Sequence, residues 1–304
     1  MNQEDNFNVD NDSINFFEVL DVLSSNKRTI IVTSFFFLLV FAIYSFFLPN
    51  IYKSEVIVRS SNFESSNNSN VSGLAALAGL SIGSFQQDEN VNIAIETMRS
   101  LKFLEILDKK HNIIFDLMAV SGWDEKKDEL IIDPSIYNND KKKWTYDSKF
   151  SINGKPSIQE VHEKFNNNLE INKEPDTAFI TISFSHYSPK LAKYYVDEIV
   201  KEVNEILRKD EIVRADNSMK YLKNEITGTK ILEVRNAMGK IIEDQAKRSM
   251  FANVMKEYVL QTISPSYVSE YKDSPNRKLI SLLGIFSGLL LSSFYILIKN
   301  FRRK

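Results

Sequence analysis

The chain has 304 residues, 43% apolar and 26% charged, with 38 Lys+Arg against 40 Asp+Glu and no cysteine. This is the composition of a globular chain, and a formal charge of −2 lacks the basic excess of a dedicated nucleic-acid binder. Without cysteine there is no disulfide scaffold, Cys-ligated zinc, iron–sulfur cluster or thiol nucleophile.

Much of the hydrophobicity sits in two blocks near the ends. After a tail over 1–28, Thr29 to Leu48 reads TIIVTSFFFLLVFAIYSFFL, without a charge. At about 1.5 Å per residue this is a helix of roughly 30 Å, enough to cross a bilayer. A signal peptide is the competing reading. The apolar run is too long for one, it follows an acidic segment, and Leu48-Pro49-Asn50 is no small-residue cleavage site.

Ile51 to Arg59 (IYKSEVIVR) reads as a strand, followed by the polar low-complexity SSNFESSNNSNVSG and the short apolar Leu74–Leu80. Asn92 to Lys110 carries one helical stripe through Ile93, Ile95, Met98, Leu101, Leu104 and Leu107. From Ser121 to Tyr146 the pattern fades, and Lys141-Lys142-Lys143 is expected on a solvated surface. Ser157-Ile-Gln-Glu160 is a capping-box pattern opening a helix through Phe165. Leu169–Ile171 and Thr177–Phe184 follow as strands, Ile180, Ile182 and Phe184 alternating with Phe179, Thr181 and Ser183.

Ser188-Pro189 pairs an N-cap with proline at the first helical position, and no proline recurs before Pro265. Val196, Ile199, Val203, Ile206 and Val213 recur at helical spacing, interrupted by Asp210, and Ile231, Val234, Met238, Ile241 and Gln245 repeat the pattern. Gly228, between threonines, is the expected turn. An arm from Pro189 to Thr227 would reach about 58 Å and needs a partner along its stripe, its own return arm or a neighbouring copy. An ordinary bundle folded back on itself is the alternative.

Leu279 to Ile298 (LISLLGIFSGLLLSSFYILI) is a second uncharged stretch, flanked by Arg277-Lys278 and by Lys299, Arg302, Arg303 and Lys304. Two spans put both tails on one side, and the positive-inside rule, which discounts long loops, favours tails in the cytoplasm. Within the second span Gly284-Ile-Phe-Ser-Gly288 is a G-x-x-x-G, with Ser281 and Ser292 one turn before and after. Small residues so spaced let helix backbones approach, between the spans or between copies.

No phosphate loop or nucleophile elbow is present, and His111, His162 and His186 show no metal-ligand spacing with one another. With six residues after the second span, no cytoplasmic catalytic or signalling domain is expected to follow. The expectation is therefore a non-enzyme, without cofactor or metal.

The layout resembles the Wzz-type chain-length determinants, polysaccharide co-polymerases of Gram-negative inner membranes. Ile14-Asn-Phe-Phe-Glu-Val-Leu-Asp-Val-Leu is similar to the family's lead-in and Pro49-Asn-Ile-Tyr52 to its turn after the first span. Gly73-Leu-Ala-Ala-Leu-Ala-Gly-Leu80 resembles its small-residue loop, and His186-Tyr-Ser-Pro189 with Leu191-Ala192 the start of its long helix. Met250 to Tyr258 and Ile263-Ser-Pro265 resemble its return helix and proline segment, and Pro275-Asn-Arg277-Lys278 its lead into the second span. Ser264 stands where the family has an acidic residue, and a middle proline is replaced near Ser269.

The resemblance implies an α+β chain with two transmembrane helices flanking a periplasmic, membrane-proximal α/β base domain that carries a long extended α-helical hairpin. The expected divisions are a cytoplasmic tail at 1–28, spans at 29–48 and 279–298, a base at 49–187, arms at 188–264, a proline-containing link at 265–278 and a tail at 299–304. It also implies a homo-oligomer that sets O-antigen or related glycan length with a Wzy-type polymerase and lipid-linked glycan, contacting membrane lipid and no nucleic acid. The structural positions of interest are Ser281, Gly284, Gly288 and Ser292 in span packing, Pro265, Pro275 and Arg277 beside the membrane, and Ser188 and Pro189 at the long helix. A membrane-anchored ligand-binding or sensor module is the alternative function, and an anchored periplasmic enzyme the third.

Overall fold

A computed structural model describes residues 16–61, 82–149, 151, 153–174 and 177–302. It divides into two compact units, Asn50–Ser274 and the pair Met1–Pro49 with Pro275–Lys304. The segment Leu74–Leu80, and most of the polar stretch before it, lie outside the described residues.

The larger unit is built on a four-stranded antiparallel sheet whose first strand, β1 (Tyr52–Ser60), is internal. β1 pairs with β7 (Phe179–His186), Val56 opposite Ile182 and Val58 opposite Ile180, and on its other side with β8 (Leu260–Ser264). β6 (Leu169–Lys173) closes the far edge against β7. Strand alternation does the sorting: Val56, Val58, Ile180, Ile182 and Phe184 face the core. Two short hairpins supply what periodicity left blank between 121 and 146. They are β2 (Val120–Asp124) with β3 (Glu129–Ile132), and β4 (Tyr137–Asn138) with β5 (Lys143–Trp144). Edge-on packing of Phe115, Tyr137 and Trp144, with centroids 4.9 to 6.3 Å apart, fixes the second. Lys141, Lys142 and Lys143 are exposed.

The single stripe read over 92–110 is two helices, α3 (Ile82–Met98) and α4 (Leu101–His111). Ser100 is the reason. Its hydroxyl oxygen accepts from Phe103 N–H at 3.2 Å and its proton goes to the Thr97 carbonyl at 2.8 Å, ending one helix and capping the next. Met98, Leu104 and Leu107 still share one core. Asn112, in the left-handed region at φ 56°, turns the chain into α5 (Ile113–Met118). α6 (Ile158–Asn168) opens with the full capping box: Glu160 N–H donates to Ser157 Oγ, and Ser157 N–H to Glu160 Oε2.

α7 (Pro189–Gly228) runs for 40 residues, about 60 Å at 1.5 Å per residue. Its stripe has two fates. Val196, Ile199 and Val203 are buried against the unit's own sheet and helices, whereas Val213 is 60% exposed. Gly228 is the last residue of α7, and Thr229, Lys230 and Ile231 directly after it lead to α8 (Leu232–Val254). α8 runs antiparallel to α7: Arg208 Nη1 donates to the Ala252 carbonyl at 3.2 Å and Ser249 Oγ to Asp216 at 3.3 Å. α8 stops at Val254, so 260–264, read with the arms in the sequence, belongs to the sheet as β8.

The smaller unit holds α1 (Phe16–Ser25), α2 (Lys27–Phe47) and α9 (Arg277–Phe301). α2 and α9 are long and apolar enough to cross a membrane, with window mean hydropathies of 2.5 and 2.0. Their outer faces present Phe35, Phe36, Leu290 and Phe294 unburied, which in water would be an aggregation surface and in lipid is the expected one. Arg277 lies over the ring of Phe46, 5.1 Å from its centroid.

Candidate functional site

Three clusters hold the positions that the sequence singles out. The first is the α2–α9 contact. Along α9, Gly284, Gly288, Ser292 and Ile296 recur every four residues and are buried, with Ser281 half-buried in line. A Cβ built on Gly288 would lie 2.6 Å from Ser34 Cα, and one on Gly284 would lie 2.8 Å from Phe41 Cβ and 3.0 Å from the Phe37 carbonyl. Carbon atoms pack at about 3.5–4.0 Å, so only glycine permits this approach. Ser281 Oγ donates to Arg277 O and Ser292 Oγ to Leu289 O, so both hydroxyls are satisfied within their helix. The opposing residues on α2, Ser34, Phe37 and Phe41, carry no spacing signal in a run of aromatics and aliphatics.

The second is the link from β8 to α9. Pro265 is exposed where β8 ends, and Ser266 beyond it is buried, its hydroxyl donating to Asp197 Oδ1 at 2.5 Å. Tyr267 O accepts from Ser54 Oγ at 2.7 Å. Ile51 N–H donates to Ser274 O at 2.8 Å. Beyond, Pro275 is half-buried, and Asn276 caps α9 by accepting from Leu279 N–H at 3.3 Å.

The third cluster fixes the start of α7. Ser188 Oγ accepts from Leu191 N–H, and Pro189 occupies the first turn, where its missing N–H costs nothing. Ser188 N–H donates to His186 Nδ1 at 3.0 Å, so the ring proton is on Nε2 and is given to the Asp116 carbonyl at 3.0 Å. Asp116 Oδ2 in turn accepts from Tyr195 Oη at 2.5 Å. Burial raises the Asp116 carboxyl above its ordinary range, and burial pushes His186 down to about 4. One turn further on, His111 stands beside Glu198 and Glu202, the group among the described residues able to hold a metal ion. Neither cluster is visible in sequence, because each joins segments about 70 to 90 residues apart.

A pH dependence follows from His186. Its folded pKa lies below the ordinary 6.5, so between pH 6.5 and 4 the unfolded chain binds the extra proton and stability falls as pH falls. At 1.36 kcal/mol per unit the full loss is about 3 kcal/mol. Asp116 opposes it, because its raised pKa favours the folded state as pH falls, so the observed loss is smaller. Denaturant midpoints should drop from pH 7 to pH 4.5, and drop less in His186→Asn; equal drops would exclude His186 as the source.

The solved structures similar to the chain include a full-length and a fragment co-polymerase. A full-length bacterial polysaccharide co-polymerase aligns at 11% identity over 95% of this chain and 98% of its own, with a TM-score of 0.37. A fragment of WzzB, polysaccharide co-polymerase from Salmonella Typhimurium, aligns at 12% identity over 74% of this chain and all of its own, with a TM-score of 0.30. No curated protein matches. The family model for the Wzz chain length determinant protein matches residues 12–110, which run from the lead-in through the first apolar helix and β1 to α4. Over those residues the chain is similar to the Wzz-type chain-length determinants.

Proposed function

We propose that the chain sets the length of a surface polysaccharide, O-antigen or a related glycan, as a homo-oligomeric scaffold working with a Wzy-type polymerase in the bacterial inner membrane. The family match over residues 12–110 carries this reading. In it, α2 and α9 cross the membrane with both tails in the cytoplasm, and 49–187 forms a periplasmic base. Residues 188–264 rise from that base as the arm-bearing segment, and 265–278 leads back to the membrane. Ser281, Gly284, Gly288 and Ser292 hold the spans together, Pro265, Pro275 and Arg277 set the link, and Ser188 and Pro189 set where the long helix begins.

The oligomer is supported by surface that one chain leaves open. Beyond Leu207, Val213 and Tyr221 on α7 and Leu232, Val234, Ile241 and Met250 on α8 are exposed. Apolar residues at helical spacing on a long two-helix segment are what a neighbouring copy would cover. Scaffolding needs no bond-making group, so the chain is read as a non-enzyme.

The test is genetic. Deleting the gene and sizing the surface polysaccharide on a gel should replace a defined modal length with an unregulated distribution, restored by the gene in trans. An unchanged distribution overturns the proposal.

A further inference from the structure

Tyr194, Glu198 and Glu202 stand one turn apart on a single face of α7, opposite His111 in the last turn of α4. His111 Nδ1 is 2.7 Å from Tyr194 Oη. Nε2 is sealed from solvent without a hydrogen-bond partner. It lies 3.4 Å from Glu198 Oε2 and 3.6 Å from Glu202 Oε1, with side-chain exposures of 11% for His111, 15% for Glu198 and 5% for Glu202.

Those separations are informative. A hydrogen bond from a ring N–H to a carboxylate would close to about 2.7–3.2 Å. Donors bound to one zinc ion at about 2.0–2.2 Å in a tetrahedron are held about 3.3–3.5 Å apart. The two imidazole-to-carboxylate distances are close to the second spacing, and the three ligand atoms all lie within 4.8 Å of one another. The 2.7 Å contact allows Nδ1 to donate its proton to Tyr194 Oη, and in that tautomer the Nε2 lone pair faces two carboxylates. That arrangement is repulsive unless a cation lies between them. A donor on the ring's other nitrogen is also how metal-ligating histidines are oriented.

The surrounding charges leave room for the ion. Lys110 Nζ pairs with the other Glu202 oxygen, Oε2, at 2.6 Å. Lys201 spans both Glu198 oxygens, at 2.8 and 3.0 Å, and can keep Oε1 when Oε2 turns to a metal. Both lysines are well exposed, so their ammonium groups can move toward solvent when an ion takes the carboxylates.

We propose that His111, Glu198 and Glu202 form a binding site for a divalent transition metal of the zinc type, ligated by one imidazole nitrogen and two carboxylate oxygens with a fourth position left for solvent. The ion ties the end of α4 to the outer face of α7.

The full-length chain in detergent, stripped with chelator, is titrated with Zn²⁺ by calorimetry and with Co²⁺ by visible absorption. One equivalent per chain and the intense absorption bands of tetrahedral Co²⁺ are expected. Glu198→Gln and His111→Gln should each weaken binding at least tenfold with the far-UV circular dichroism unchanged, while His162→Gln leaves it intact. No stoichiometric binding by the parent chain overturns the proposal. So does binding that survives in both site variants, and so does a protonated His111 Nε2 in the nitrogen NMR of the metal-saturated protein. These readouts involve no polysaccharide, so they stand or fall apart from the glycan-length reading.

Discussion

Gly288→Leu is expected to be among the most damaging single changes in the apolar helix pair. Even the first carbon of the new side chain would sit 2.6 Å from Ser34 Cα, a backbone atom that no rotamer change can move. To restore ordinary contact the helices must separate by about 1 Å, and the rest of the leucine widens the gap further. Overpacking of this sort costs roughly 1–3 kcal/mol, and separation also loosens the Gly284–Phe41 contact. Thermal unfolding of the detergent-solubilised protein should shift down, Gly288→Ala should fall between parent and Gly288→Leu, and the sized polysaccharide should change in step. Leu290→Ala, on the exposed side of α9, is the control. If Gly288→Leu melts and regulates like the parent, the close approach of the two helices is not needed for either.

Asn204→Leu is expected to cost most in the larger unit. Asn204 is buried in mid-helix, and its amide is fully used. Oδ1 accepts from Val259 N–H and Leu260 N–H, both at 2.9 Å, and Nδ2 donates to Leu260 O at 2.9 Å and Val200 O at 3.1 Å. Leucine matches its size but leaves two backbone donors at the head of β8 buried without acceptors. At about 1–3 kcal/mol each the loss is roughly 2–6 kcal/mol. Urea unfolding should show it, and hydrogen exchange at Val259 and Leu260 should accelerate first. Asn224→Leu, exposed on the same helix, should change stability by less than about 0.5 kcal/mol. A parental midpoint in Asn204→Leu would mean that β8 is held by its pairing with β1 alone.

Local signals were legible and tertiary ones were not. The capping box at Ser157–Glu160 and the alternation over 179–184 are readable because a few neighbouring residues decide them. The stripe over 92–110 misleads because Leu101, Leu104 and Leu107 continue the apolar spacing straight through a break that one hydroxyl, Ser100, creates. The stripe from Val196 to Val213 reads as one seam, yet its first half is consumed by the chain's own sheet, and periodicity says nothing about what covers a face. Asn204 looks like an ordinary polar residue on a helix, since its partners are some 55 residues away. A still longer separation along the chain hides His111 from Glu198 and Glu202. Gly284 and Gly288 announce a close approach without naming α2 as the helix approached.

The partnership of α2 with α9 also dictates timing. Ser34 leaves the ribosome 254 residues ahead of Gly288, a delay of roughly 13–50 s at about 5–20 residues per second. For that interval the first apolar helix lacks the partner that packs against Ser34, Phe37 and Phe41. β1 likewise waits for β7 and β8, which are synthesised more than a hundred residues later. Pairing of the two apolar helices therefore waits until α9 is made, and a nascent chain halted before α9 emerges should be the species that quality-control proteases recognise.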